Sequence, residues 1–194
     1  MNIEWVLIAV AVLAGFGAIR TLRLWLRYHG AMRVECPETR HGAGVVVDAR
    51  RAALTVPGKA ADLHLSSCSR WPERAGCGQE CLGQIAASPE DCLVRNLLAR
   101  WYAGKVCASC GAPFGEIQWG NRKPALVSAD KVSVDWSQVR AESLEQTLDS
   151  ASPICFACHM AHTLVREHPE LAIERPQQWQ ESGDRRRPSS TSSR

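Results

Sequence analysis

The 194-residue sequence carries none of the short signatures that mark common catalytic folds. It has no P-loop, no GxGxxG dinucleotide turn, no HExxH helix and no GxSxG nucleophile elbow. Motif therefore names no enzyme class and no small-molecule substrate. The Glu90-Asp91 pair fits helix capping better than acid–base catalysis. Concentrated basic charge is also missing. The formal net charge is +3, whereas specific nucleic-acid binding needs a dense basic face. There is no internal repeat beyond two cysteine clusters. No basic side chain precedes the first apolar run, so the n-region of a cleaved secretory signal is absent.

That apolar run is Trp5 to Ile19, fifteen residues without a polar side chain. At about 1.5 Å per helical residue it covers roughly 22 Å, less than a ~30 Å hydrocarbon core. The stretch from Arg20 to Arg27 is apolar between its arginines, and snorkelling arginines let the span continue to about Leu26. Trp5 and Trp25 then fall near the two interfaces, where tryptophan is favoured. Only the amino terminus and Glu4 precede the run, while Arg20, Arg23, Arg27 and Arg33 follow it. The positive-inside rule makes this a single-pass protein of the inner (cytoplasmic) membrane with its C-terminal domain in the cytoplasm.

The chain divides into four parts. Residues 1–30 are the anchor with its basic flank, and residues 31–106 form a cysteine-rich strand and helix unit. Residues 107–175 form a second unit, and residues 176–194 a disordered basic and serine-rich tail. Met32 to Glu35 and Val45 to Asp48 read as strands around a turn-rich His41-Gly-Ala-Gly44 segment. Ser88 with Pro89, Glu90 and Asp91 reads as a helix start. Leu93, Val94, Leu97, Leu98, Trp101 and Tyr102 give that helix one apolar face, and Gly104 stops it. Residues 117–127, with Gly120-Asn121 inside, suggest a hairpin. Asp135 to Gln138 suggests a capping box opening a helix through about Leu148. Cys155 to Cys158 runs into a helix ending before Pro169.

Nine cysteines stand in this chain. An odd number in a reducing compartment points to metal ligation rather than a disulfide framework. Cys107-x2-Cys110 and Cys155-x2-Cys158 each place two thiolates at a turn or helix start, where both can reach one ion. Together they supply tetrahedral zinc. The glycine after the first pair and the helix after the second resemble a zinc ribbon or treble clef over about 107–168. That resemblance implies an α+β fold around a cysteine-ligated zinc ion. The 44 residues between the pairs leave room for an inserted hairpin and helix. Cys36, Cys68, Cys77 and Cys81 form a candidate second set, with His41 and His64 as substitutes. Cys92 lies inside the capped helix and reads as a small buried residue. One or two zinc ions are thus expected.

Two other chemistries remain open. Cys155-Phe-Ala-Cys158-His159 is a literal CxxCH, the attachment motif of haem c. Cys155 and Cys158 would then form thioethers and His159 would be the proximal ligand, with Met160 and His162 too near in sequence to serve opposite it. That requires an exported site, against the charge argument, and leaves Cys107 and Cys110 without a role. Four thiolates also suit an iron–sulfur cluster, although neither set has a ferredoxin spacing. A CxxC can cycle as a thiol redox or metal sensor, but no thioredoxin-like βαβ pattern surrounds either pair.

A closed site of four cysteines is structural, because it leaves no position for water. The expected protein is a membrane-anchored, zinc-stabilised scaffold or interaction protein whose partner the sequence does not name. Electron transfer through haem or iron–sulfur, and thiol or metal sensing, are the alternatives. Orientation has a direct check. A reporter that works only when exported, fused after Arg194, is expected to stay silent, and activity there would reverse the topology.

Overall fold

The computed structural model describes residues 3–74 and 76–171. The expected tail at 176–194 lies outside them. Among the described residues the chain is α+β, with one long N-terminal helix and two small three-stranded sheets. Helix α1 spans Ile3–Tyr28, 26 residues. That is roughly 39 Å, longer than a ~30 Å hydrocarbon core. Its most apolar window is wholly exposed, and it is long and apolar enough to cross a membrane. Only its last turns pack inward: Tyr28 is buried, with Leu24 and Trp25 partly so. Gly30, at φ +123°, breaks the helix in a conformation side chains rarely adopt.

The first sheet orders β1 (Ala31–Glu35), β2 (Gly42–Val47) and β3 (Leu65–Cys68), all antiparallel. Met32, Val34, Ala43, Val45 and Val47 alternate inward, as a half-buried pleat requires. Two expectations change here. Asp48 is not strand but the N-cap of α2 (Ala49–Ala53), accepting from the Arg51 N–H at 3.1 Å. The small Ala49, Ala52 and Ala53 are buried, and α2 packs against α1. Gly42 and Gly44 lie in the strand rather than in a turn. A Cβ on Gly44 would come within 2.8 Å of a Glu142 carboxylate oxygen and 3.0 Å of the Ala141 Cβ. These glycines admit a 3-10 turn at Ala141–Ser143 across the sheet.

The expected helix from Ser88 is two pieces after a short α3 (Leu82–Ala87). These are α4 (Pro89–Cys92) and α5 (Val94–Tyr102). Leu93 between them is extended at ψ 121°, because it bridges Met32 of β1. Ser88 makes no side-chain cap bond, although Pro89 does occupy the first turn. The face Val94, Leu98 and Tyr102 packs with Leu126 and Leu144, and Gly104 follows at φ +72°.

The second sheet orders β5 (Ser133–Asp135), β4 (Ala125–Val127) and β6 (Ser152–Ile154). The hairpin is therefore β4–β5, later than the expected 117–127. Gly120-Asn121 only turns the chain, while pairing goes to Ala125–Val127 at the centre. Asp135 does cap, accepting from the Ser137 N–H at 2.8 Å, but a 3-10 turn at Trp136–Gln138 follows instead of a long helix. Val139 and Arg140 are extended, and α6 begins only at Leu144–Ser150. Helix α7 (Phe156–Glu167) ends before Pro169.

Tyr102 ties α5 to the central strand. It is 1% exposed, and its hydroxyl donates to the Ala125 carbonyl at 2.7 Å. Burial, then Asp135, pushes its phenol up, so it stays a donor. Tyr102→Phe removes that hydrogen bond and is expected to cost about 0.5–1.5 kcal/mol. Leu98→Ala, at a fully buried site, is expected to cost about 2–5 kcal/mol. Thermal melts of the detergent-solubilised chain check both. A Tyr102→Phe melt superimposable on wild type would contradict the first.

Candidate metal centre

The first CxxC folds as a tight knuckle between Val106 and Pro113, which bridge as antiparallel partners. The Cys107 N–H donates to the Ala112 carbonyl, and the Gly111 N–H donates to the Cys107 carbonyl, both at 2.8 Å. Gly111 turns at φ +73°, where a side chain would be strained. The knuckle is tied to β6 by the Ala108 N–H, which donates to the Pro153 carbonyl at 2.8 Å.

The second CxxC leaves β6 directly. Cys155 is the extended N-cap of α7, and Cys158 lies in its first turn, so both can face the knuckle. The Cys155 N–H donates to the Cys107 sulfur at 3.3 Å. Beneath the sulfurs, Ala125, Ile154 and Cys107 form a buried floor with Phe114 and Val127 packed around it. Cys107 is buried, Cys155 and Cys158 are half-buried, and Cys110 is exposed.

The Sγ atoms of Cys107, Cys110, Cys155 and Cys158 all lie within 4.8 Å of one another. Cys110 and Cys155 are 3.8 Å apart. A Zn–S bond of about 2.3 Å places the sulfurs of a tetrahedral site about 3.8 Å apart. These four cysteines can therefore hold one metal ion across the 44-residue gap. All nine cysteines are free thiols.

Electrostatics divides the set. Burial opposes ionisation of Cys107, but the backbone amides of Cys155, Cys110 and Ser109 outweigh it and bring the thiol down to about 6. Burial pushes the Cys158 thiol up, and the neighbouring sulfurs of Cys155, Cys110 and Cys107 add to the rise. Four crowded sulfurs cannot all carry charge without a cation among them.

The other expected ligands fall elsewhere. Cys36, Cys68, Cys77 and Cys81 line a single small cavity between the first sheet and the loop of residues 77–81. Their sulfurs are more widely spread: among the described residues, only the first set gathers within 4.8 Å. They still feel one another. Burial raises the Cys81 thiol, and Cys68, Cys77 and Cys36 raise it further. Neither His41 nor His64 lines this cavity; His64 pairs instead with Asp62 at 3.3 Å. Cys92 is buried in the first core, where burial and then Asp91 raise its thiol.

His159 follows Cys158, and its Nδ1 is buried without a hydrogen-bond partner among the described residues. His162 Nε2 lies 3.3 Å from the Ser109 hydroxyl at the rim of the knuckle. Spacing did not reveal the backbone donors to Cys107 or the floor of Ala125 and Ile154, because both depend on how β4 and β6 pair. The bulky, β-branched Ile154 immediately before Cys155 was the available signal.

Metal binds thiolates, so any thiol still protonated must release its proton on binding. Cys158, held high, has a proton to lose at neutral pH, whereas Cys107 needs to lose one only as pH falls through about 6. Affinity is expected to rise with pH and to drop more steeply below about pH 6. Calorimetric zinc titration of the stripped chain, in buffers of different ionisation enthalpy, should show net proton release at neutral pH. Binding without it would contradict this charge distribution.

Compared with known proteins, the chain matches no family model, no curated protein and no solved structure.

Proposed function

We propose that this chain is a single-pass membrane protein whose cytoplasmic domain is a zinc-stabilised scaffold for a protein partner. The observation that carries the reading is the gathering of four cysteine sulfurs from two distant CxxC turns within 4.8 Å. Thiolate-only donors suit zinc, and four protein ligands leave no open position for a reacting water. The ion then closes the domain structurally, joining the knuckle to the start of α7.

Haem attachment would use Cys155, Cys158 and His159 alone. The approach of Cys107 and Cys110 to the same sulfurs favours a shared metal. Anchoring is supported by the exposed apolar length of α1 and by the placement of its arginines on the domain side. Arg20 donates to the Thr55 carbonyl at 2.9 Å, and Arg27 pairs with Glu90 at 3.2 Å. Leu54 and Val56, both exposed, flank Thr55 at the level where the bilayer interface would lie. A partner is supported by the exposed stripe Phe156, Met160 and Leu164 along α7, a helix with no buried residue.

The test is elemental analysis and a visible spectrum of the full chain, purified in detergent without added metal. Zinc and no colour are expected, with X-ray absorption giving a sulfur-only shell near about 2.3 Å. A haem or iron–sulfur spectrum would overturn the assignment. Cys107→Ser and Cys158→Ser should each lose the ion and expose residues 107–168 to protease. Unchanged zinc and protease resistance in both variants would exclude these ligands. The chain should also stay with membranes after alkaline extraction, and its release would remove the anchor from the proposal.

A further inference from the structure

Two hairpin turns in this chain share one backbone pattern. In Cys107–Ala112, the cysteine N–H donates to the carbonyl five residues on, and its own carbonyl accepts from the N–H four residues on. In Cys36–His41, the Cys36 N–H donates to the His41 carbonyl at 2.9 Å. The Cys36 carbonyl accepts from the Arg40 N–H at 2.7 Å. The left-handed residue occupies the same place, Gly111 at φ +73° and Arg40 at φ +54°. The closing pair does too, Val106 with Pro113 and Glu35 with Gly42. A left-handed non-glycine residue costs about 1–2 kcal/mol, so the surrounding structure must hold Arg40 there. Thr39 stands where Cys110 stands in the other turn. The Cys36 turn thus offers one sulfur, and the remainder of a four-sulfur set must come from other segments.

Two segments bring them. Cys68 ends β3, and Cys77 and Cys81 come from the loop leading into α3; all three line the cavity that Cys36 faces. Polar side chains fix these segments to one another. Gln84 of α3 accepts from the Glu35 N–H at 3.0 Å and donates to the Glu35 carbonyl at 2.6 Å, which sets Cys81 beside the Cys36 turn. Gln79 accepts from the Leu65 N–H at 3.0 Å, which holds the Cys77–Cys81 loop against β3. The Arg70 N–H already points at the Cys68 sulfur at 3.5 Å. Arg70 and Arg74 line the same cavity, and the Arg70 Nε is buried with no partner among the described residues. A divalent ion held by four thiolates keeps a net double negative charge, which the Arg70 guanidinium complements, while Arg74 pairs with Glu38 at 3.7 Å.

We infer that Cys36, Cys68, Cys77 and Cys81 form a second, independent site for a divalent zinc-type ion, built on the same hairpin turn as the first. Its sulfurs stand farther apart than those of the first set. The ion would cross-link the first sheet to α3, as the other links the knuckle to α7.

The test counts ions. Native mass spectrometry of the full chain in detergent, loaded with zinc alone, is expected to show two ions per chain. The double variant Cys36→Ser/Cys68→Ser should keep one, and Cys107→Ser/Cys110→Ser should keep the other. A wild-type measurement guards against variants that fail to fold. Loading with cadmium-113 should give two resonances in the all-sulfur range, and Cys36, Cys68, Cys77 and Cys81 should resist alkylation until a chelator is added. A single resonance with these four cysteines alkylated at once would overturn the inference, as would recovery of a disulfide within the set. A lone ion that survives Cys107→Ser/Cys110→Ser but not Cys36→Ser/Cys68→Ser would support this site and remove the first.

Discussion

Cys107 is the point on which the C-terminal half depends. Its sulfur accepts the Cys155 N–H, it packs on Ala125 and Ile154, and its backbone closes the knuckle. Three strands of three residues each cannot bury enough apolar surface to hold such a turn unaided. Sulfur and amide groups replace hydrophobic area there. The same amides that would support a bound ion already favour the Cys107 thiolate, so the polypeptide builds the charge environment before any metal enters.

The two sheets are joined by contacts of a different kind. Gly44 leaves room for Ala141 and Glu142 to cross β2. Arg33 of β1 pairs with Glu145 of α6 at 2.6 Å. Leu93 pairs with β1, and one residue later α5 begins to pack toward the second sheet. The exposed Glu145 makes its ion pair a weak contributor. Shape at the two glycines and the buried face of α5 matter more. A side chain at Gly44 would displace the Glu142 carboxylate and press on Ala141 at the start of the 3-10 turn.

The sequence was most legible where chemistry is local. The apolar run appears as α1, the β-branched Val45 to Val47 as β2, and the Asp135 cap as a real hydrogen bond. The two CxxC turns meet in the structure. Long-range pairing hid the rest. Leu93 fits a helical period, but Met32 pulls it into a bridge. Gly42 and Gly44 carry a turn signal, yet their role is to admit Glu142 from a distant part of the chain. Gly120-Asn121 marks a turn correctly, while the strand that follows pairs with segments downstream that no local rule could select. Around Cys36, Cys68, Cys77 and Cys81, the hydrogen bonds by which Gln84 and Gln79 hold the segments together depend on the fold and carry no signal in the spacing.

Helix α1 does not end in a loose linker. Arg20, Arg27 and the Arg95 bond to the Leu26 carbonyl at 2.6 Å fasten its final turns to the domain. A stem fixed in this way cannot swivel independently of what it carries. With α1 in a bilayer, the domain would hold one height and one face relative to the lipid surface, and tilting of the helix would tilt the domain with it. Any protein that bound the domain would then meet the same orientation at every encounter, so lateral diffusion in the membrane plane, rather than rotation about a tether, would govern how often the two surfaces met.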